Sequence, residues 1–236
     1  MMKLPLLALL TLPLLALHAA DAPKTALAKT GESLFSDDLK TAPDGKAWAA
    51  AKGKWEIADG ALRGAELAAD KHGAVSRHKM NFTDAVIQYE VKLDGAKGTT
   101  LSINDAKGHN CRIALNPTGF TVTKDDHDHE GPDKAVNFGR RAVALKPGEW
   151  HTVRLEMVGD TVLGTVDDAA PVFGSHEMIA AEKTNFGFTV AGETASFRNL
   201  RMWSATKSAD WDKAKAAIPA PLPPGGPAKA KAPAAK

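Results

Sequence analysis

The sequence predicts an all-β sandwich. Between residues 33 and 204, short stretches alternate apolar and polar residues, as strands with one buried and one wet face do. Gly-, Asp- and Pro-bearing turns separate them at short, regular intervals, and no long amphipathic helix interrupts the series. A chain of 236 residues with two compositionally special ends then reads as one domain.

The ends come first. Lys3, an apolar run from Leu4 to Leu17 broken by Pro5 and Pro13, and the small residues Ala19-Ala20 have the layout of a secretory signal peptide over residues 1–20. The run is too short to span a bilayer, so no transmembrane segment is expected in the mature protein. Residues 21–32 read as a leader and 33–204 as the sandwich. Residues 205–236, rich in Ala, Lys and Pro, read as a disordered tail. The single cysteine, Cys111, has no internal partner, so core burial alone must hold the fold. An exported chain without disulfides points to a bacterial periplasm or exterior. The formal net charge is +2, but Lys3 and the tail supply the excess and leave the body acidic. That excludes a nucleic-acid surface on the body and leaves the basic tail as a candidate contact with an anionic cell-envelope polymer.

Along the body, Ser33 to Leu39 forms the first strand. Trp48 sits among alanines and lysines, Ala47 to Lys54, a composition suited to a helical turn. Trp55-Glu56-Ile57, the turn Asp59-Gly60 and Leu62-Arg63-Gly64 make a hairpin. Ala74 to Arg77 makes a short strand. From Asp84 to Leu93, Ile87, Tyr89, Val91 and Leu93 share one face. Asp94 to Gly98 reads as a loop, Thr100 to Asn104 as a strand and Asp105 to Gly108 as a turn. Cys111, Ile113 and Leu115 then point inward, opposite Arg112. Pro117 to Gly119 turns into Phe120 to Thr123. The polar segment Asp125 to Phe138 cannot be a central strand, because it carries Gly131-Pro132. Alternation resumes at Arg141 to Leu145. It continues after Gly148-Glu149 with His151, Val153, Leu155 and Met157 on one face, then a Gly159-Asp160 turn into Thr161 to Val166. Glu177 to Lys183 suits a short helix or loop. Asn185 to Val190 and Ala195 to Trp203 close the body, with a change of phase that places a bulge near Asn199.

Three patterns together resemble one family. They are Trp55 to Leu62 around an Asp-Gly turn, Gly148 to Asp160 with its Gly-Glu-Trp start, and Gly187-Phe188-Thr189 followed by Phe197-Arg198-Asn199-Leu200. In this order and spacing they resemble the 3-keto-disaccharide hydrolase domain family, which is similar to family 16 glycoside hydrolases and laminin G-like domains. The resemblance runs from Leu34 to Trp203 and implies a concanavalin A-like jelly roll that engages carbohydrate. The family's strand bearing a glutamate and an aspartate corresponds here to Asn110 to Asn116, where Arg112 and Asn116 stand instead. The resemblance therefore transfers no catalytic residue.

Candidate chemistry concentrates in Asp125-Asp126-His127-Asp128-His129-Glu130. Carboxylates suit Ca²⁺ and imidazoles add affinity for Zn²⁺, so Asp126, His127, Asp128 and His129 are metal-ligand candidates. The alternative is a solvated acidic loop. A 3-keto sugar has an acidified carbon–hydrogen bond beside its ketone, so one general base suffices to begin an elimination. Asp105, His109, Asp125, Asp126 and His127 are candidate bases. Asp105, His109, Arg112 and Trp48 are candidate ligand contacts. His151 reads as a histidine at the core's edge, and Trp55 and Trp150 as core plugs. The expected function is a secreted carbohydrate-directed sandwich that binds glycan with weak or no catalysis. The alternatives are a hydrolase or lyase acting on 3-keto-glycosides and a structural module of the envelope.

Overall fold

The computed structural model describes residues 22–46 and 48–223. The expected signal peptide and the end of the expected tail lie outside the described residues. Thirteen strands build the fold: β1 (Ala28–Asp37), β2 (Trp48–Lys52), β3 (Lys54–Ala58), β4 (Ala61–Ala65), β5 (Ala74–Phe82), β6 (Ala85–Asp105), β7 (Gly108–Asn116), β8 (Gly119–Lys124), β9 (Val136–Ala142), β10 (Trp150–Val158), β11 (Thr161–Val166), β12 (Val172–Ser175) and β13 (Lys183–Lys207). A short helix, α1 (Trp211–Ala217), follows.

Two layers form because β6 and β13 are long enough to serve both. The first half of β6 pairs with β10, which continues through β11 to β12. Beside it the second half of β13 pairs with β1 and β4, and β3 closes that edge. The second half of β6 pairs instead with β7, followed by β8 and β9. The first half of β13 pairs there with β5, and β2 lies outside β5. All pairings are antiparallel, and the result is a jelly-roll sandwich.

The expected loop at Asp94 to Gly98 is in fact the bend in β6. Its residues stay paired to Ala191 through Ala195 with successive shifts of register. Gly95 and Gly192 carry φ of 89° and 88°, so the bend is made by bulges rather than by leaving the ladder. The bulge expected near Asn199 is present, with Asn199 at φ 53° and a register break between Arg198 and Arg201.

The inward faces meet in one apolar core. Phe188 stacks on Phe197 at 4.3 Å, and Tyr89 packs on Phe188 at 5.0 Å. Ile87, Val91, Val153, Leu155 and Met157 are fully buried, as the alternation requires. A methyl group on Gly164 would stand 2.8 Å from Ile113 Cδ1, so this glycine sets how closely β11 approaches β7.

Several boundaries differ from the sequence-based expectation. The leader is a strand from Ala28, held because buried Glu156 accepts the backbone N–H groups of Ala26, Leu27 and Ala28 at 2.8–3.2 Å. Residues 48–52 are β2 rather than a helical turn, since pairing with β5 outweighs local helix propensity. The strand expected at Arg141 to Leu145 lies earlier, as the edge strand β9. The expected tail is folded up to residue 223. Strand β13 continues to Lys207, and α1 buries Trp211 against Leu27, Leu163 and Phe173. Leu222 then exchanges both backbone hydrogen bonds with Arg140.

Candidate functional site

The outward face of the second sheet forms the floor of a cavity of about 500 Å³. Alternation decides which side chains reach it. One row across the strands reads Arg77, Gly187, Ser102, Arg112 and Thr123. The next reads Val75, Thr189, Thr100, Ala114 and Thr121. A methyl group on Gly187 would stand 2.8 Å from Arg77 Cα, so this glycine lets β5 approach β13 closely, and Arg77 and Arg112 line the cavity from the two sides of the row.

His109 enters from the start of β7. Its Nδ1 lies 2.8 Å from Asn104 Oδ1. The amide nitrogen of Asn104 donates to Asn185 Oδ1 at 2.6 Å, so the Asn104 oxygen faces His109 and can only accept. Nδ1 therefore carries the hydrogen, and Nε2 keeps the basic lone pair. Burial holds the His109 pKa below the ordinary imidazole value, aided by the positive charges of Arg77, His129, Arg112 and His127. At neutral pH His109 is an uncharged base in a cationic surround.

Asp125 lies beside it, buried at 2 % exposure. Burial pushes its carboxyl up to about 6, although Arg112, His129 and Lys124 pull the other way. Arg112 Nη2 is 2.8 Å from Oδ1, yet neither carboxylate oxygen receives an aligned hydrogen bond. The contact is electrostatic and leaves both oxygens short of partners. His129 completes the group, its ring 5.8 Å from that of His109. Asp126 holds it there by accepting the His129 backbone N–H at 2.8 Å, with His129 in the left-handed region at φ 67°.

The other half of the acidic segment turns away. His127 Nε2 lies 3.0 Å from Asp105 Oδ2, and its Nδ1 lies 3.3 Å from Asp133 Oδ2. Burial opposes the charge of Asp105, but bonds from Asn110, the Lys107 N–H and His127 outweigh it and hold the carboxyl below its usual range. Buried Lys124 also pairs with Asp133 and donates to the Lys134 carbonyl at 3.0 Å. The backbone N–H of His109 donates to the His127 carbonyl at 3.0 Å, which ties the whole loop to the β6–β7 turn. His127 is thus a clamp on the segment that presents His129.

The sequence-based candidates therefore divide. His109, Arg112, Asp125 and His129 meet in the cavity. Asp105 and His127 line a separate depression, and Asp126 supports the loop backbone, so none of these three faces the main cavity. The metal-ligand expectation for Asp126, His127, Asp128 and His129 fails on geometry. Their side chains diverge, Asp128 serving only to accept the Glu130 N–H at 2.9 Å. Among the described residues no three His, Cys, Asp or Glu side chains are placed to hold one ion. Trp48 is not a ligand platform either. It stacks on Phe188 inside the core and donates Nε1–H to Asp37 at 3.0 Å. His151 is a core-edge histidine, its Nδ1 2.7 Å from Asp167 Oδ2. Trp150 carries the Arg198 guanidinium over its ring at 4.0 Å. Arg77, Ser102, Thr100 and Thr189 were missed. The only sequence signal for them was the polar phase of their strands.

Fold and cavity together define a jelly-roll sandwich with a polar site on its concave face. The chain belongs to the 3-keto-alpha-glucoside-1,2-lyase-like domain family, whose profile matches residues 32–202. A comparison with curated proteins gives no match. Among solved structures the chain is similar to the carbohydrate-binding module CBM66 from Bacillus subtilis, at 16 % identity and a TM-score of 0.54, covering 67 % of this chain and 96 % of that one. It is also similar to a Bacillus licheniformis beta-glucanase, at 11 % identity and TM-score 0.53, covering 76 % and 100 %. The Rhodothermus marinus laminarinase gives 13 % identity and TM-score 0.55, covering 76 % and 99 %. At these identities the likeness is one of fold.

Proposed function

We propose that this chain is an exported carbohydrate-active protein that cleaves 3-keto-glycosides by elimination. The observation that carries the reading is His109, a neutral imidazole with a fixed tautomer, set between guanidinium groups in a sugar-sized cavity. Family membership supplies the substrate class, and the apolar N-terminal run begun by Lys3 supports export.

His109 Nε2 takes the proton from the carbon between the ketone and the anomeric centre. The electron pair moves into an enolate, whose oxygen is met by the positive charge of Arg112. Collapse of the enolate forms a double bond to the anomeric carbon and breaks the bond to the glycosidic oxygen. The imidazolium then returns its proton to that leaving oxygen, so the products are an unsaturated keto sugar and an alcohol. Asp125 moderates the charge of Arg112. Among the described residues it is the only acidic side chain lining the cavity, and hydrolysis by a carboxylate pair therefore has no second member here.

The test is a 3-keto-disaccharide in D₂O, with release of the second sugar followed alongside deuterium uptake into the recovered, unreacted substrate at the carbon between the ketone and the anomeric centre. His109→Gln should lower turnover by about two to four orders of magnitude while saccharide binding persists. Undiminished turnover in that variant sinks the assignment. The same lack of a carboxylate pair favours a second reading, glycan binding without catalysis. Saturable binding with neither exchange nor release in the unaltered protein would establish that reading instead.

A further inference from the structure

The elimination uses His109 and Arg112 on the substrate, and Arg77, which only helps keep His109 uncharged, has no assigned contact with it. Arg77 sits on the cavity face of β5, two residues from Val75, and its Nη1 is buried with no hydrogen-bond partner. Arg77 has no ion-pair partner among the described residues, and Lys52 on the neighbouring rim of β2 has none either. The cavity's one carboxylate, Asp125, is engaged with Arg112 on the opposite side. His72 lies on the same rim as Lys52, with Nδ1 2.8 Å from the Gly73 carbonyl oxygen. A protein whose body is acidic has thus gathered unpaired cations along one wall of its cavity. A buried guanidinium nitrogen without a partner is unfavourable unless a ligand completes it.

Resting on the lyase reading above, we propose that the substrate is an anionic saccharide, and that Arg77, supported by Lys52 at the rim, binds a carboxylate, sulfate or phosphate on the sugar. The dimensions agree. Arg77 and Arg112 are separated by Gly187 and Ser102 in one row, which is three strand spacings or roughly 14 Å between their backbones. Both side chains line the cavity, one from each end of that row. A sugar ring fits between them with its reacting carbon at His109 and an acidic substituent toward Arg77. The planar guanidinium suits such an oxyanion because it can offer two parallel N–H donors.

The experiment is calorimetric titration of the full chain at low salt with four probes: methyl glucoside, methyl glucuronide, glucose 6-sulfate and glucose 6-phosphate. At least one anionic probe should bind about tenfold or more tightly than the neutral one. The advantage should vanish in Arg77→Gln, be partly kept in Arg77→Lys, and weaken in Lys52→Gln. The ranking of the three anions identifies which acidic group the wall accepts. Equal affinity for neutral and anionic probes, absence of binding by every anionic probe, or a preference unchanged in a folded Arg77→Gln protein overturns the proposal. These results separate from those of the elimination test. Neutral keto-glycosides cleaved without an anionic preference remove only the present inference. An Arg77-dependent preference without His109-dependent proton exchange removes only the lyase reading.

Discussion

Replacing Asp125 by Asn isolates the energetic consequence of burying a carboxyl group in the site. Asp125 titrates near 3.8 when unfolded and is pushed up to about 6 when folded, with burial as the largest cause. Between these values the folded protein holds a proton that the unfolded chain has released. Stability from this group is therefore complete below the unfolded value. It falls as pH rises through the window up to about 6, and is level above it. At about 1.4 kcal/mol per pH unit the loss amounts to about 3 kcal/mol. Asn cannot titrate, so Asp125→Asn carries no such loss, whatever constant penalty follows from leaving Arg112 without its partner. Urea denaturation of both proteins across this window measures the effect. The difference in unfolding free energy should move in favour of the Asn variant by about 3 kcal/mol between pH 4 and 7.5. Two curves that stay parallel over that range would refute the buried, proton-holding carboxyl and with it the electrostatic account of the cavity.

Three further outcomes follow from the same structure. In Arg77→Gln the midpoint of His109, read from its ring protons by NMR, should move upward, because a positive charge that disfavours the imidazolium has gone. Trp211→Ala should lower stability by about 3 kcal/mol in urea denaturation, since this side chain is 4 % exposed and packs with Leu27 and Leu163. A disordered tail would show no change. Cys111 should resist an aromatic disulfide reagent in the native state and react only on unfolding, because it is fully buried and its thiol is pushed up to about 12.

Local patterns in this chain were legible because neighbouring residues determine them. The Asp59-Gly60 turn places both residues at positive φ, 52° and 72°, and the β3–β4 hairpin follows directly. Strand β10 keeps the predicted inward face, and the acidic segment was correctly marked as the place where the rhythm breaks. What could not be read depends on distant pairing. Arg77 becomes a cavity residue only because β5 pairs with β13, more than a hundred positions later, and the register sets Arg77 opposite Gly187. Trp48 looked like a free aromatic because its neighbours are Ala and Lys, yet its ring belongs to the core that Phe188 and Phe186 supply. The acidic segment looked like one ligand cluster. Its backbone sends His129 to one side and His127 to the other, where Asp105 and Asp133 hold it. The helix at Trp211 escaped notice because a single tryptophan in an Ala-Lys background gives no period.

Strand β13 is the last strand among the described residues and the central one of both layers, paired with β1, β4, β5 and β6. A chain made from its N-terminus therefore waits for residues 183–207 before either layer can close. Hairpins such as β7–β8 and β10–β11 can form early, but β1 has no ladder until then and β5 has only its short one with β2. Folding should accordingly be slow, and the sheet edges exposed in the meantime are open to intermolecular pairing. The cavity floor includes Thr189 from that strand, so the cavity takes shape only once β13 has emerged.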